Sequence, residues 1–407
     1  MRIGFLFNHD QTHQLAHALP IALELIANHP EVEVVIATSN DRLTSEVRHL
    51  AMLAGVPVTP VQLSLKSRSV RLAARAFQTL LPLSKICIYR ENLDFFRSLD
   101  ALVVTEKTSL LLKSRYKLEK LKLIHTRHGA GDRAIGFEKA SALFDHVLVS
   151  GPKIRDRLAA EAGVPREKMS MVGYPKFDTP PPRAELSFSR PELPTILYNP
   201  HCSPHLSSWY RHGQAVLDYF LRDGRFNLIF APHVMMFHRP FVVSIDKLRI
   251  ERPGKIDRRY FDAPNIHIDL GSRASTDMTY TNAADLYLGD VSSQVYEFLR
   301  TPRPCLFIDS HETEWRDNPN YAHWQAGDVI RDVSRLGSAI DQALATHDRY
   351  RPAQKALFDS SFDLGVEPSS KRAARAILGV LSPVAPTPIF GKQGASSEGV
   401  SEDFAVA

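Results

Sequence analysis

A chain of 407 residues is longer than one hydrophobic core ordinarily serves, so its length alone points to two domains. Apolar residues at 44% and charged residues at 23% are the proportions of a soluble globular protein. A formal charge of +5 and a pI near 9.0 favour anionic partners such as nucleotides, phosphopolymers or lipid headgroups; without a motif they are too mild to imply nucleic acid.

The chain opens on an apolar run too short for a signal peptide, and Ile3–Phe7 reads as a first strand. Apolar residues at helical spacing follow over Gln14–Ala27, and a second buried strand is predicted over Val32–Thr38. Lys66–Leu83 is basic and amphipathic, with Arg68, Arg71 and Arg75 interleaved with Val70, Leu72 and Phe77. That pattern suits a packing helix with a solvated face, or contact with an anionic membrane or acceptor. Further strands are predicted over Ala101–Val104, Leu123–Thr126, His146–Val149 and Ser170–Val172, with a helix over Lys153–Ala162. Strand–helix alternation of this kind predicts a mostly parallel sheet covered on both faces.

Thr179–Pro194 breaks the pattern: it is proline-rich and aperiodic, and reads as a linker. A second alternation follows, with strands over Thr195–Tyr198, Leu228–Ala231, Ile266–Ile268, Asp285–Leu288 and Pro304–Ile308, then a final helix over Ser369–Leu381. The stretch 383–407, rich in Pro, Gly and Ser, reads as a disordered tail. The expected organisation is a Rossmann-like domain over 1–178, a linker over 179–194 and a second Rossmann-like domain over 195–382. Such an α/β chain resembles the GT-B fold, whose substrates bind in the cleft between the domains. The three cysteines, Cys87, Cys202 and Cys305, form no CxxC pair, so a reducing, cytoplasmic setting is the simpler reading. No stretch approaches the roughly 18 apolar residues of a membrane helix.

The chemistry is sought in loops that follow strands, where open α/β sheets hold their ligands. In Asp285–Leu299 a strand ends and Asp290, Ser292 and Ser293 precede a helix that runs through Glu297. Serine and aspartate favour helix caps, and a helix start with small hydroxyls can hold phosphate. Glu297 could accept hydrogen bonds from ribose hydroxyls. In His125–Gly136 a strand is followed by a loop with three glycines and two histidines; Gly129 allows close backbone approach to a donor, and His128 is placed for general-base work. Pro232 and His233 follow a strand of the second half, where the histidine could donate to a diphosphate. Gly173–Asp178 reads as a turn at the hinge. His9, His13 and His17 share a spacing of four, yet His9 falls in a loop and no acidic second shell accompanies them, so cleft-lining histidines are the better reading than a metal site. His201 and His205 share that spacing with Pro204 between them, which breaks a common helical face.

His128-Gly129, Gly173–Asp178, Ile196–Pro200, Pro232-His233 and Asp285 with Gly289–Ser293 occur in one order over roughly residues 120–310. They resemble the successive blocks of the CDP-glycerol glycerophosphotransferase family, which includes the teichoic acid primases and polymerases. The resemblance implies a GT-B fold, no metal or cofactor, and transfer of glycerol phosphate from CDP-glycerol to a hydroxyl of a cell-envelope polymer or lipid-linked acceptor. It implies a base role for His128, donor-diphosphate contact for His233, and phosphate contact for Ser292 and Ser293. One departure stands out: His201–His205 replaces a Thr-Trp-Arg-like continuation, which leaves donor and acceptor identity open. Asp290–Glu297 also resembles a block of the non-hydrolysing UDP-GlcNAc 2-epimerases, although the Glu that their second motif expects near His128 is missing. A GT-B sugar-nucleotide enzyme, and a non-catalytic protein with the same fold, are the alternatives.

Overall fold

The computed structural model describes residues 1–9, 12–65, 83–127, 129–244 and 249–382. The amphipathic segment Lys66–Leu83 lies almost entirely outside them, as do His128 and the tail from residue 383.

Seven parallel strands make the first sheet: β1 (Arg2–Phe7), β2 (Glu33–Thr38), β3 (Val61–Gln62), β4 (Ala101–Val104), β5 (Lys122–Thr126), β6 (His146–Val149) and β7 (Met169–Met171), in the order β3-β2-β1-β4-β5-β6-β7. Six strands make the second: β8 (Thr195–Asn199), β9 (Asn227–Phe230), β12 (Ile266–Ile268), β13 (Leu286–Gly289), β14 (Cys305–Ile308) and β15 (Asp328–Ile330), in the order β12-β9-β8-β13-β14-β15. All pairings within both sheets are parallel. A small antiparallel pair, β10 (Val242–Ser244) and β11 (Arg249–Glu251), is inserted between β9 and β12.

The apolar runs become strands because both faces of each sheet are covered. Successive side chains alternate between faces. Ile3, Phe5 and Phe7 of β1 join Val103 and Ile124 in one core, while Leu6 joins Leu102, Val104 and Leu123 in the other. The second sheet repeats the device, with Leu197, Tyr287 and Phe307 on one face and Ile196, Leu288 and Ile308 on the opposite one.

The closing helix, Ser369–Leu381, does not remain with the second half, where the sequence placed it. Its Ala373, Ala374 and Ile377 are buried in the core that covers β1. The Gly173–Asp178 turn explains how it is held. The Ser369 and Ser370 amides donate to the two carboxylate oxygens of Asp178, at 3.0 and 2.6 Å, and the Tyr174 amide donates to Ser369 Oγ at 2.9 Å. Gly173 has φ +81°, and a Cβ there would lie 2.4 Å from Ser369 Oγ, so glycine is required where the returning chain crosses. The proline-rich stretch 179–194 is itself packed on the second half: Leu186 and Phe188 rest against that core.

Candidate functional site

Each sheet reverses its strand order beside its first strand: β1 lies between β2 and β4, and β8 between β9 and β13. The loops leaving the carboxyl ends of such strands diverge and open a crevice. The two crevices face each other across one cavity of about 430 Å³, lined from the first half by His13, His17, Lys85, Glu106, Arg127, Gly129, Arg133 and Lys176 and from the second by His201, His233, Ser292, Ser293 and Glu297.

The second-sheet wall is built around a buried strut. Asp290, directly after β13, accepts the His201 and Val291 amides on Oδ1 at 2.8 and 2.6 Å, and the Ser208 amide and hydroxyl on Oδ2 at 2.6 and 2.9 Å. Burial lifts its carboxyl above the ordinary value, with these hydrogen bonds working the other way. Asp290 therefore fixes the loop after β8 and does not line the cavity. Pro232 is likewise buried at the end of β9 and only delivers His233. His233 Nδ1 accepts the Met235 amide at 3.2 Å, which leaves Nε2 as the protonated nitrogen of the neutral ring. Burial pulls this imidazole down, but the neighbouring Cys202 sulfur outweighs it and the net shift is upward. Glu297 is buried; its Oε1 accepts Lys176 Nζ at 2.6 Å and Tyr174 Oη at 3.0 Å, whereas its buried Oε2 has no hydrogen-bond partner among the described residues. The helix after Ser293 is short, Gln294–Phe298.

The first-sheet wall is ionic. Glu106, just past β4, receives Lys85 Nζ at 2.7 and 2.8 Å and meets His9 Nδ1 at 3.0 Å. Burial would raise its carboxyl, but the His9 and Lys85 contacts prevail and hold it at about 2. Behind the loop after β5, Asp132 ties the halves together: Oδ1 takes Lys153 Nζ of its own half at 2.8 Å, and Oδ2 reaches across to Tyr296 Oη at 2.6 Å and His323 Nδ1 at 2.9 Å. His323 Nε2 in turn donates to the Asp290 carbonyl at 3.0 Å, so the two walls share one buried network. Gly129 (φ +80°) and Gly131 bring the first-half loop against Ser293; a Cβ on Gly131 would sit 2.9 Å from Ser293 Cβ.

Of the residues singled out from sequence, Gly129, His233, Ser292, Ser293 and Glu297 thus meet around one cavity, Asp290 and Pro232 support it from beneath, and His128 lies outside the described residues. His13 and His17 line the cavity, with the His13 ring centroid 6.5 Å from that of His233 on the opposite wall, while His9 is buried behind them. No group of three potential ligands has metal-holding geometry among the described residues. His201 faces Arg133, whereas His205 turns away to Ser244. Sequence reading missed Lys85, Glu106, Arg127 and Arg133. Arg127 and Arg133 flank glycines in a loop already under suspicion, and that was the available signal; Lys85 and Glu106 carried none, because only the packing of separate segments pairs them.

No protein-family model matches the sequence, and no curated protein sequence matches it. Solved structures do resemble it. The UDP-GlcNAc 2-epimerase from Neisseria meningitidis, bound to UDP-GlcNAc, superposes with a TM-score of 0.61 at 13% identity, over 93% of this chain and 100% of that one. The S. aureus MnaA–UDP structure gives 0.59 at 12% identity, over 95% and 99%. The wall teichoic acid polymerase TagF, soaked with CDPG, gives 0.58 at 13% identity, over 93% and 88%. At such identities the likeness is one of fold, and the fold is α/β with two parallel sheets, as in these two-domain GT-B proteins.

Proposed function

We propose that the chain is an enzyme that binds a nucleotide-activated donor in this cleft and transfers glycerol phosphate, or a related polyol phosphate, from a CDP-activated donor to an acceptor hydroxyl. The observation that carries the reading is the convergence of His233, Ser292, Ser293 and the Oε2 of Glu297, unpaired among the described residues, on one cavity between the two crevices. Hydroxyls and a raised imidazole suit a diphosphate, and a spare carboxylate oxygen suits ribose hydroxyls. Neighbours of the same fold hold UDP-GlcNAc, UDP or CDPG, as their names state, which supports a nucleotide donor.

In this reading the acceptor hydroxyl oxygen attacks the β-phosphorus of the donor. A new P–O bond forms, the bond to the bridging oxygen breaks, and CMP leaves with that electron pair. His128 takes the hydroxyl proton. His233 Nε2–H and the serines hold the diphosphate and offset charge on the leaving group. No step uses a metal, in keeping with the lack of an Asp-x-Asp block in the sequence, and EDTA is expected to leave turnover unchanged.

The epimerase reading has the epimerase likeness in its favour. Epimerisation through elimination of UDP needs carboxylates free to act beside the sugar. Among the described residues the cavity-lining carboxylates are Glu106, with Lys85 on both oxygens, and Glu297, with Lys176 on Oε1, which leaves Glu297 Oε2 as the one carboxylate oxygen there without a partner. A thermal-shift panel decides between them: CDP-glycerol or CDP-ribitol should raise the melting temperature, because a ligand that binds only the native state stabilises it. Stabilisation by UDP-GlcNAc alone would favour the epimerase class.

A further inference from the structure

Cations outnumber carboxylates on the cavity wall. Four cationic side chains line it, Lys85, Arg127, Arg133 and Lys176, against two carboxylates, Glu106 and Glu297. Each carboxylate is matched to a lysine, at 2.7 Å for Lys85 and 2.6 Å for Lys176. Among the described residues, Arg127 and Arg133 meet no carboxylate, so the whole surplus charge rests on two guanidinium groups of a single loop.

Their present contacts are makeshift. Arg133 Nη1 points at His201 Nε2 at 3.1 Å, while the Ser203 amide points at His201 Nδ1 at 2.9 Å. A neutral imidazole has one lone pair for hydrogen bonding, so it cannot accept from both. Burial, with Arg133 beside it, holds His201 well below the ordinary range, so the ring is neutral and one donor is surplus. Arg127 donates to the Gly136 carbonyl and lies over the Phe137 ring, 4.5 Å from its centroid, but its buried Nε has no acceptor among the described residues. Burial, aided by Arg157, depresses its pKa to about 10. The guanidinium packs closely on Gly136, where a Cβ would lie 2.6 Å from Arg127 Nη2 and push it aside.

We propose that Arg127 and Arg133 form an anion cradle on the first-sheet wall, opposite His233 and Ser292, and that it holds a phosphate group of a substrate. The proposal rests on the transferase reading for the identity of that substrate. The phosphate is either the donor's transferred group or one borne by the acceptor, as in a growing polyol-phosphate chain. Guanidinium forks match phosphate in geometry and charge.

Calorimetric titration of CDP-glycerol, and of glycerol 3-phosphate in the presence of CMP, into the wild type and Arg127→Gln/Arg133→Gln tests it. At least tenfold weaker binding of CDP-glycerol by the variant supports a donor phosphate in the cradle. At least tenfold weaker binding of glycerol 3-phosphate, with CDP-glycerol within twofold, supports an acceptor phosphate. No change in either overturns the cradle. If the wild type binds neither compound, the transferase reading fails by itself, and inorganic pyrophosphate then serves as the probe: weaker binding by the variant supports the cradle, and equal binding overturns it. Gly136→Ala, which displaces Arg127 without removing charge, should weaken the same ligand as the double variant; its melting curve separates this effect from misfolding.

Discussion

The two walls of the cleft are built on nearly the same strand order yet carry different side-chain chemistry. The first-sheet wall is charged: Lys85–Glu106 is an ion pair, and Arg127 and Arg133 meet no carboxylate among the described residues. The second-sheet wall is made of hydroxyls, histidines and the Glu297 carboxylate, and Asp290 braces it from beneath with both oxygens spent on backbone and serine donors. The sheet supplies only a crevice; the polarity of each wall is set by the few residues that follow the strands. A donor diphosphate on one side and an acceptor on the other is the division of labour this contrast suggests.

The sharpest break of that division comes from the histidines. His128→Ala is expected to lower turnover by about 10²–10⁴-fold with donor affinity nearly intact, as for loss of a general base. His233→Ala, like the paired Ser292→Ala and Ser293→Ala changes, is expected to weaken donor binding as well as turnover. Titration of CDP-glycerol into each variant checks this, and loss of donor binding in His128→Ala alone would reverse the assignment of walls.

A smaller effect tests where the walls join. Lys176 and Glu297 are each 7% exposed and 2.6 Å apart, so Glu297→Ala strands a buried ammonium. Breaking a buried pair in this way costs ~3–5 kcal/mol. The denaturant midpoint should fall accordingly, and a midpoint within experimental error of the wild type would show that the pair is solvated in solution.

The charged wall should also have its own acid limit. Glu106 is held at about 2 in the folded chain against 4.5 for the free side chain. Because the folded value is the lower one, its contribution is present above about 4.5 and is lost as pH falls towards 2. Glu106→Gln should therefore lower the melting temperature at pH 7 and converge with the wild type in strong acid. A constant difference across that range would mean that the carboxylate charge is not what stabilises this wall.

The smallest expected effect concerns Lys66–Leu83. If that segment adsorbs to membranes, binding to anionic liposomes should weaken with salt, as screening shortens to ~8 Å at physiological ionic strength. Replacing Arg68, Arg71 and Arg75 by Glu should abolish it. Salt-insensitive binding, or none, would leave the segment as packing surface. Among the described residues, no helix is long and apolar enough to cross a membrane.

Most of the sheet architecture was legible in the residues. The runs at Ala101–Val104 and His146–Val149 were read to the residue, because a strand buried on both faces carries a nearly continuous run of apolar residues. Edge strands β3 and β15, at two and three residues, lack that burial and carry no such signal. The neighbourhood of the site was legible for a related reason. Loops that follow strands are short and stand close to their strands, so His233, Ser292, Ser293 and Glu297 could be found from local order alone.

Only the tertiary structure decided the roles. Asp290 looks like a ligand in the sequence and proves to be a strut, because the loop after β8, some ninety positions earlier, brings its amides to the carboxylate. Glu106 acquires Lys85, and Arg127 and Arg133 acquire no carboxylate among the described residues, through the packing of separate segments. The closing helix crosses back to the first core because its Ala373, Ala374 and Ile377 find their apolar partners there, and Asp178 waits to cap it. Local sequence fixes periodicity and turn chemistry, which act over a few residues. Charge balance and hydrogen-bond satisfaction are settled between segments far apart in the chain, and they are visible only once the chain has folded.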